Sequence, residues 1–397
     1  MKILQINTYC GYGSTGRIAV DIANSLGPKD ECTIAYGYFN TTYKKCYNLL
    51  RWKSPFIYKV KLFLNRVKGK TGYTNKFRTQ KFLNWIDEWN PDVIHLHNIH
   101  GDYIHISTLF KFLKDRNYPV VWTFHDCWPI TGRCAYFDYN GCTKWRNGCH
   151  SCQFKKVFPV TYFSDSSKKE WHKKKDLFSG IKNLTIVTPS NWLANLVKQS
   201  YLSGYSVKVI HNGIDLSVFK KDYETQSLRT KYGIGNSKIL LGVAGAWSYR
   251  KGLNYFIELA KILSDEYKIV LIGLSKKQIR LLPSSILGIE HTESISELVK
   301  WYSCATIYLN PTLDDNYPTT NLEAQACGAP IITFNTGGSP ESIQNGIVAQ
   351  NRTVKSLYDS IEHMAHEDYN KTVSLDFFSK ETFAKAYVSL YKDIIVK

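Results

Sequence analysis

Short apolar runs recur along the chain, each followed by a polar or glycine-bearing turn and then by a stretch of helical period. Lys2–Asn7 (KILQIN) is the first run; Gly11–Gly16 follows it, and an apolar-periodic helix covers Arg17–Leu26. Similar runs stand at Cys32–Tyr36, Asp92–His97, Pro119–Phe124, Leu184–Thr188 and Val207–Ile210. Helices are predicted over Phe77–Trp89 and over Ser190–Ser200, where Ser190 is a good N-cap. The pattern restarts at Lys238–Ala244, with a helix over Lys251–Leu263 and strands at Thr306–Leu309 and Ile331–Phe334; further strand–helix units run to about His366, and an amphipathic helix over Ser379–Ile395 closes the chain. Strands alternating with helices predict an α/β fold of two Rossmann-like domains. The boundaries fall at 1–212, 213–378 and a final helix over 379–397.

Composition narrows the class. A chain of 397 residues, 44% hydrophobic and 21% charged, has the make-up of a soluble globular protein of two or three domains. No run approaches the ~20 apolar residues of a spanning helix. The chain opens Met-Lys and passes at once into a strand pattern, so no signal peptide and a cytoplasmic location are expected. The ten cysteines then read as reduced thiols or metal ligands rather than disulfides. The formal net charge is +18, and no nucleic-acid motif accompanies it. Between Lys44 and Phe82 the chain carries twelve Lys or Arg and no acid. On a helix over Pro55–Val67, Ile57, Val60, Leu64 and Val67 share one side, with Phe56 and Phe63 nearby. Two readings follow: a basic amphipathic helix lying on an anionic membrane, or a core-packed helix with a solvated basic face.

The densest chemistry lies between Pro311 and Glu341 (PTLDDNYPTTNLEAQACGAPIITFNTGGSPE). The strand Thr306–Leu309 leads into a loop carrying Asp315. Thr319, Thr320 and Asn321 then stand at the mouth of a short helix-forming run, Leu322–Ala326, which Gly328 and Pro330 stop. Free N–H groups and the helix dipole make such a mouth an anion site, suited to a phosphate. Glu323, eight positions after Asp315, is placed in the first turn, within reach of a ligand across that mouth. In the first half, Gly11, Gly13 and Gly16 fit the dinucleotide fingerprint, which suggests a dehydrogenase. That reading needs an acid at the end of the second strand, where Tyr36–Gly37–Tyr38 stands instead. His97, Asn98 and His100 follow one strand, and His125 and Asp126 the next, so both groups fall at carboxyl ends, where open α/β sheets bind ligands.

Asp315, seven residues, Glu323, then A-x-A-x-G-x-P resembles the acidic signature of the retaining glycosyltransferases of family four, which have the GT-B fold. The family's first acid is usually Glu; here it is Asp. His211-Asn-Gly-Ile-Asp215 followed by Phe219 resembles the crossover into the family's second domain. The resemblance implies two facing Rossmann-like domains, a nucleotide-diphosphate sugar donor, and transfer of its sugar to a hydroxyl with retention. It implies that Glu323 binds the ribose, that Asp315 and His125 lie near the donor sugar, and that the helix mouth at Thr319–Asn321 holds the diphosphate. Gly13 and Gly16 then lie near the donor phosphates; His97, Asn98 and Asp126 face the acceptor, a saccharide or lipid-linked saccharide. The family's Arg directly after the first strand's Gly is missing, since Ala246 follows Gly245; Arg250 takes its role here, beside Lys251. No D-x-D motif occurs, and the chemistry is expected to need no cofactor. A catalytically idle scaffold that binds a nucleotide sugar is the rival reading.

Cys127–Pro159 has neither helical nor strand period and holds five cysteines, Cys127, Cys134, Cys142, Cys149 and Cys152, with His150 among them. A Gly-rich loop of this length needs something to hold it. Cys149-x2-Cys152 with Cys134 and Cys142 supplies four ligands for a structural zinc. Cysteines packed as small apolar residues, or an iron–sulfur cluster, are the alternatives. A bacterial surface-polysaccharide branch of the family carries a similar Cys- and Trp-rich insert, which implies a place bordering the acceptor.

Overall fold

The computed structural model describes residues 1–39, 43–50, 60, 63–65, 67, 71–153, 159, 161, 165–366 and 373–396. The chain forms two compact units, Met1–His211 with Phe383–Lys397, and Asn212–Thr382. Most of the basic stretch, including Lys59, Lys61 and Arg66, lies outside the described residues.

The first unit is built on a parallel sheet of seven strands: β1 (Lys2–Asn7), β2 (Glu31–Tyr36), β3 (Cys46–Asn48), β4 (Val93–Leu96), β5 (Val120–Thr123), β6 (Leu184–Thr188) and β7 (Ser206–Val209). Their order is β3-β2-β1-β4-β5-β6-β7, so the direction of winding reverses at β1 and β4. Helices α1 (Gly13–Asn24), α2 (Lys76–Trp89), α3 (Ile106–Arg116), α4 (Ser167–Phe178) and α5 (Asn191–Lys198) connect them. The Ser190 side chain caps α5 by accepting from the Leu193 N–H. Both sheet faces are covered, which is why the strands are almost continuously apolar.

The second unit has six parallel strands: β8 (Lys238–Val243), β9 (Tyr267–Ile272), β10 (Ile286–Ile289), β11 (Ile307–Asn310), β12 (Ile331–Phe334) and β13 (Gly346–Ala349), in the order β10-β9-β8-β11-β12-β13. Its helices are α6 (Gln226–Lys231), α7 (Leu253–Leu259), α8 (Lys276–Arg280), α9 (Ile295–Cys304), α10 (Thr319–Ala326) and α11 (Val354–His366). The winding reverses at β8 and β11, so the loops after these two strands emerge side by side.

The last helix, α12 (Lys380–Ile395), turns its apolar face, Phe383, Ala384, Tyr387, Leu390 and Tyr391, into the core of the first unit. There the Tyr391 hydroxyl lies 2.6 Å from His95 Nδ1, and Thr123 Oγ1 bridges the other His95 nitrogen, at 2.8 Å, to the Tyr387 hydroxyl, at 2.9 Å.

The cysteine-rich segment is packed, although its described residues form no regular structure beyond two short 3-10 turns, Trp128–Ile130 and Asp138–Asn140. Trp128, Phe137 and Trp145 are buried in the first unit's core. Lys174 of α4 is buried too; its ammonium donates to the carbonyls of Trp128 (2.7 Å) and Thr131 (3.0 Å) and sits 3.6 Å from the centre of the Trp128 ring. Burial pushes that amine down to about 7. Aromatic burial and one cation therefore help to hold the loop.

Candidate functional site

In the second unit the backbone locks the loop after β11 to the loop after β8 on one side and to the loop after β12 on the other. The Leu313 N–H donates to the Arg250 carbonyl (2.8 Å) and the Gly338 N–H to the Asp315 carbonyl (2.9 Å). Two glycines permit this approach. At Gly252 (φ +80°) a Cβ would lie 2.2 Å from the Pro311 carbonyl oxygen, and at Gly337 (φ +56°) 2.1 Å from that of Asp315. Lys251, on a 3-10 turn over Tyr249–Lys251, thereby meets Asp315: its Nζ is 2.5 Å from Oδ2. Burial pushes the Asp315 carboxyl up, but Lys251 and Arg250 outweigh it and hold the group below the usual carboxylate range. The Arg250 guanidinium donates to the Asp314 carbonyl.

Helix α10 begins at Thr319, directly after Pro318, three residues before the expected run at Leu322. Thr319 and Thr320 are half-buried and form its first turn. Glu323 is consequently in the second turn, not the first. Its Oε2 accepts from the Tyr302 hydroxyl (2.9 Å), a buried phenol on α9. Asn321 belongs to the interior: its amide oxygen accepts from Asn310 (2.8 Å), and its amide nitrogen donates to Ser342 (2.9 Å) and Ser339 (3.3 Å). Its part is to hold the helix mouth in place, and its side chain does not reach a ligand. Arg250, Lys251, Asp315, Thr319, Thr320 and Glu323 are thus brought to the carboxyl ends of β8 and β11.

In the first unit Gly13 opens α1 at φ +65°, and Gly16, buried, packs on Tyr9 and Gly11. His125 is half-buried just past β5. His97, past β4, is 1% exposed and lies beneath it, with Nδ1 3.0 Å from His125 Nε2. An acceptor-facing His97 is therefore not what the structure shows: it reaches a ligand only through His125. Burial lowers both rings, His97 well below its ordinary range and His125 to about 4, so both are neutral near pH 7. Asp126 is buried as well; its carboxylate accepts from His100 Nε2 (2.9 Å) and the Trp128 N–H (2.8 Å). Burial pushes Asp126 up, and His100 and these hydrogen bonds bring it below the ordinary value. Asn98 is half-buried, and its carbonyl is taken by Thr8 and Tyr103.

Cys134, Cys142, Cys149 and Cys152 line one cavity of about 260 Å³. Cys134 is hydrogen-bonded to Cys152, which, ahead of burial, raises its thiol well above the ordinary range. Among the described residues, however, no three His, Cys, Asp or Glu side chains are grouped so as to hold a metal ion.

Sequence reasoning missed Gln5 and Tyr302. Gln5 was detectable as the one polar residue inside KILQI, a run otherwise apolar after its lysine. Tyr302 carries no such mark, because only the packing of α9 on α10 brings it to Glu323.

The chain matches the family model for glycosyltransferase family 4 over residues 51–218 and that for glycosyl transferases group 1 over residues 237–367. It is 23% identical over 321 residues, 77% of each chain, to WcaC of Escherichia coli K12, a glycosyl transferase named for colanic acid biosynthesis. It is 24% identical over 200 residues to the N,N'-diacetylbacillosaminyl-diphospho-undecaprenol alpha-1,3-N-acetylgalactosaminyltransferase of Campylobacter jejuni, 46% of this chain and 53% of that one. Among solved structures, sucrose-phosphate synthase of Thermosynechococcus elongatus superposes with a TM-score of 0.72 at 14% identity, covering 100% of this chain and 99% of the other. Anabaena HepE in complex with UDP-glucose superposes with 0.63 at 14% identity, covering 100% and 96%. Two consecutive family matches across both units, on two parallel sheets of this topology, place the chain among the glycosyltransferases of family four, with the GT-B fold.

Proposed function

We propose that the protein transfers a sugar from a nucleotide-diphosphate sugar to an acceptor hydroxyl, with retention, in the making of a bacterial polysaccharide or glycoconjugate. The carrying observation is the joint placement of Lys251, Arg250 and the first turn of α10 beside Asp315 and Glu323. A nucleoside diphosphate is already a good leaving group, so the protein's main task is to stabilise charge developing on the β-phosphate. Two cations and a helix N-terminus are suited to it. Glu323, fixed by Tyr302, is placed to accept from ribose hydroxyls. The HepE complexes with UDP and UDP-glucose support the donor class, and the lipid-linked name of the Campylobacter relative supports a saccharide or lipid-linked acceptor. A cytoplasmic enzyme resting on an anionic membrane through 44–82 suits such an acceptor. Val60, Phe63 and Leu64 of that stretch are exposed apolar residues, and among the described residues no helix is long and apolar enough to cross a membrane.

The test is release of nucleoside diphosphate with a panel of donors and acceptors, read together with thermal protection by each donor. Protection by one donor and release only when an acceptor is added is the expected result. Protection without release for any acceptor establishes the binding scaffold instead.

A further inference from the structure

Beneath His125 runs a chain of hydrogen bonds whose direction is fixed. The Gln5 amide nitrogen donates to the Ala19 carbonyl (2.8 Å) and meets Cys32 Sγ at 3.4 Å. Reversing the amide would set two oxygens against each other at Ala19, so Gln5 Oε1 must be the atom 2.8 Å from His97 Nε2. An amide oxygen only accepts, and His97 Nε2 therefore carries the proton. His97 is buried among His95, His125 and Gln5 with no acid in contact, and its ring stays neutral. Its Nδ1 is then a lone pair, and the group facing it at 3.0 Å, His125 Nε2, must donate. His125, also neutral, is left with a lone pair on Nδ1, for which the described residues supply no hydrogen bond.

We propose that Gln5 and His97 are positioning residues that hold His125 as the Nε2–H tautomer, so that its Nδ1 accepts a hydrogen bond from a hydroxyl of the sugar substrate. The chain Gln5–His97–His125 runs from the middle of β1 across β4 to the end of β5. It turns a direction set in the core into the polarity of one atom at the surface. The substrate part rests on the transferase reading above; the tautomer does not.

The test uses the whole protein with 15N-labelled histidine. Ring-nitrogen shifts of His125 should report a single Nε2–H tautomer from pH 6 to pH 8. Gln5→Met removes the acceptor at nearly unchanged shape and should give a mixture of tautomers and a loss of about tenfold in kcat/KM, the scale of one oriented hydrogen bond. A parent His125 protonated on Nδ1, or a tautomer unchanged in Gln5→Met, overturns the relay. A parent tautomer as expected with undiminished turnover in His125→Ala overturns the sugar contact while leaving the transferase reading intact.

Discussion

The Lys251 ammonium is held by Asp315, and in the proposed reaction the donor diphosphate competes for it. On the proposed donor site the ion pair keeps the cation aimed and partly desolvated, so little reorganisation is needed as charge develops. Lys251→Ala should lower kcat by a hundredfold or more, about 3 kcal/mol in the barrier, as measured by steady-state turnover. Glu323→Gln should mainly weaken nucleotide binding, because the ribose is held alike in ground and transition states. Titration calorimetry with the nucleoside diphosphate reads that effect. If both variants stay within a few-fold of the parent, the donor site lies elsewhere. Acids, cations and glycines of this site could be picked out from residue type and spacing. The partnerships of Glu323 with Tyr302 and of Asn321 with Ser339 and Ser342 could not, because these groups come together only through the packing of separate segments.

The strands were the most legible elements: β1, β6 and β12 match their expected bounds, since a doubly covered strand writes itself as an apolar run. Helix starts were less so. Thr319, Thr320 and Asn321 read as a mouth before the helix because such residues favour caps, yet α10 begins right after Pro318, which is its N-cap residue. The interlock of the loops after β8, β11 and β12 had no visible signal beyond Gly252 and Gly337. Gly252→Ala would set a Cβ 2.2 Å from the Pro311 oxygen and force φ +80° on a side-chain-bearing residue. It should destabilise the protein by about 1–3 kcal/mol, seen in denaturant titration, and lower turnover by parting Lys251 from Asp315. In the cysteine segment, one zinc per chain requires the four thiols to draw together in their shared cavity. We propose that they do. About one equivalent in metal analysis, released by Cys149→Ser, is expected, and metal-free protein with an intact fold sinks it.

At the scale of the molecule, buried neutral histidines set the acid limit. His95, His97 and His125 sit together with Tyr387, Tyr391 and Thr123, and Asp126 with His100 stands next to them. Their folded pKa values lie below the ordinary 6.5, His125 at about 4. Unfolding therefore takes up protons in that window, and stability must fall as the pH drops from 6.5 toward 4, by up to about 1.4 kcal/mol per pH unit for each histidine. Thermal midpoints at pH 7 and pH 5 should show the drop, and His95→Gln should flatten it. Charge of the whole chain leads to a second expectation. Reversal at Lys59, Lys61 and Arg66 should weaken binding to anionic vesicles by ~1 kcal/mol per cation, with soluble-acceptor activity spared; a parent that ignores vesicles at moderate salt leaves that stretch a solvated face. The closing helix has a consequence for assembly. The first unit is made of two separate pieces, Met1–His211 and Phe383–Lys397, with the whole second unit translated between them. During synthesis β4 and β5 must wait for the Tyr391 partner of His95 and the Tyr387 partner of Thr123 until α12 leaves the ribosome, whereas the second unit can close as soon as it emerges. The unit made first is completed last, so a stalled chain would carry a folded second unit beside an unfinished first one.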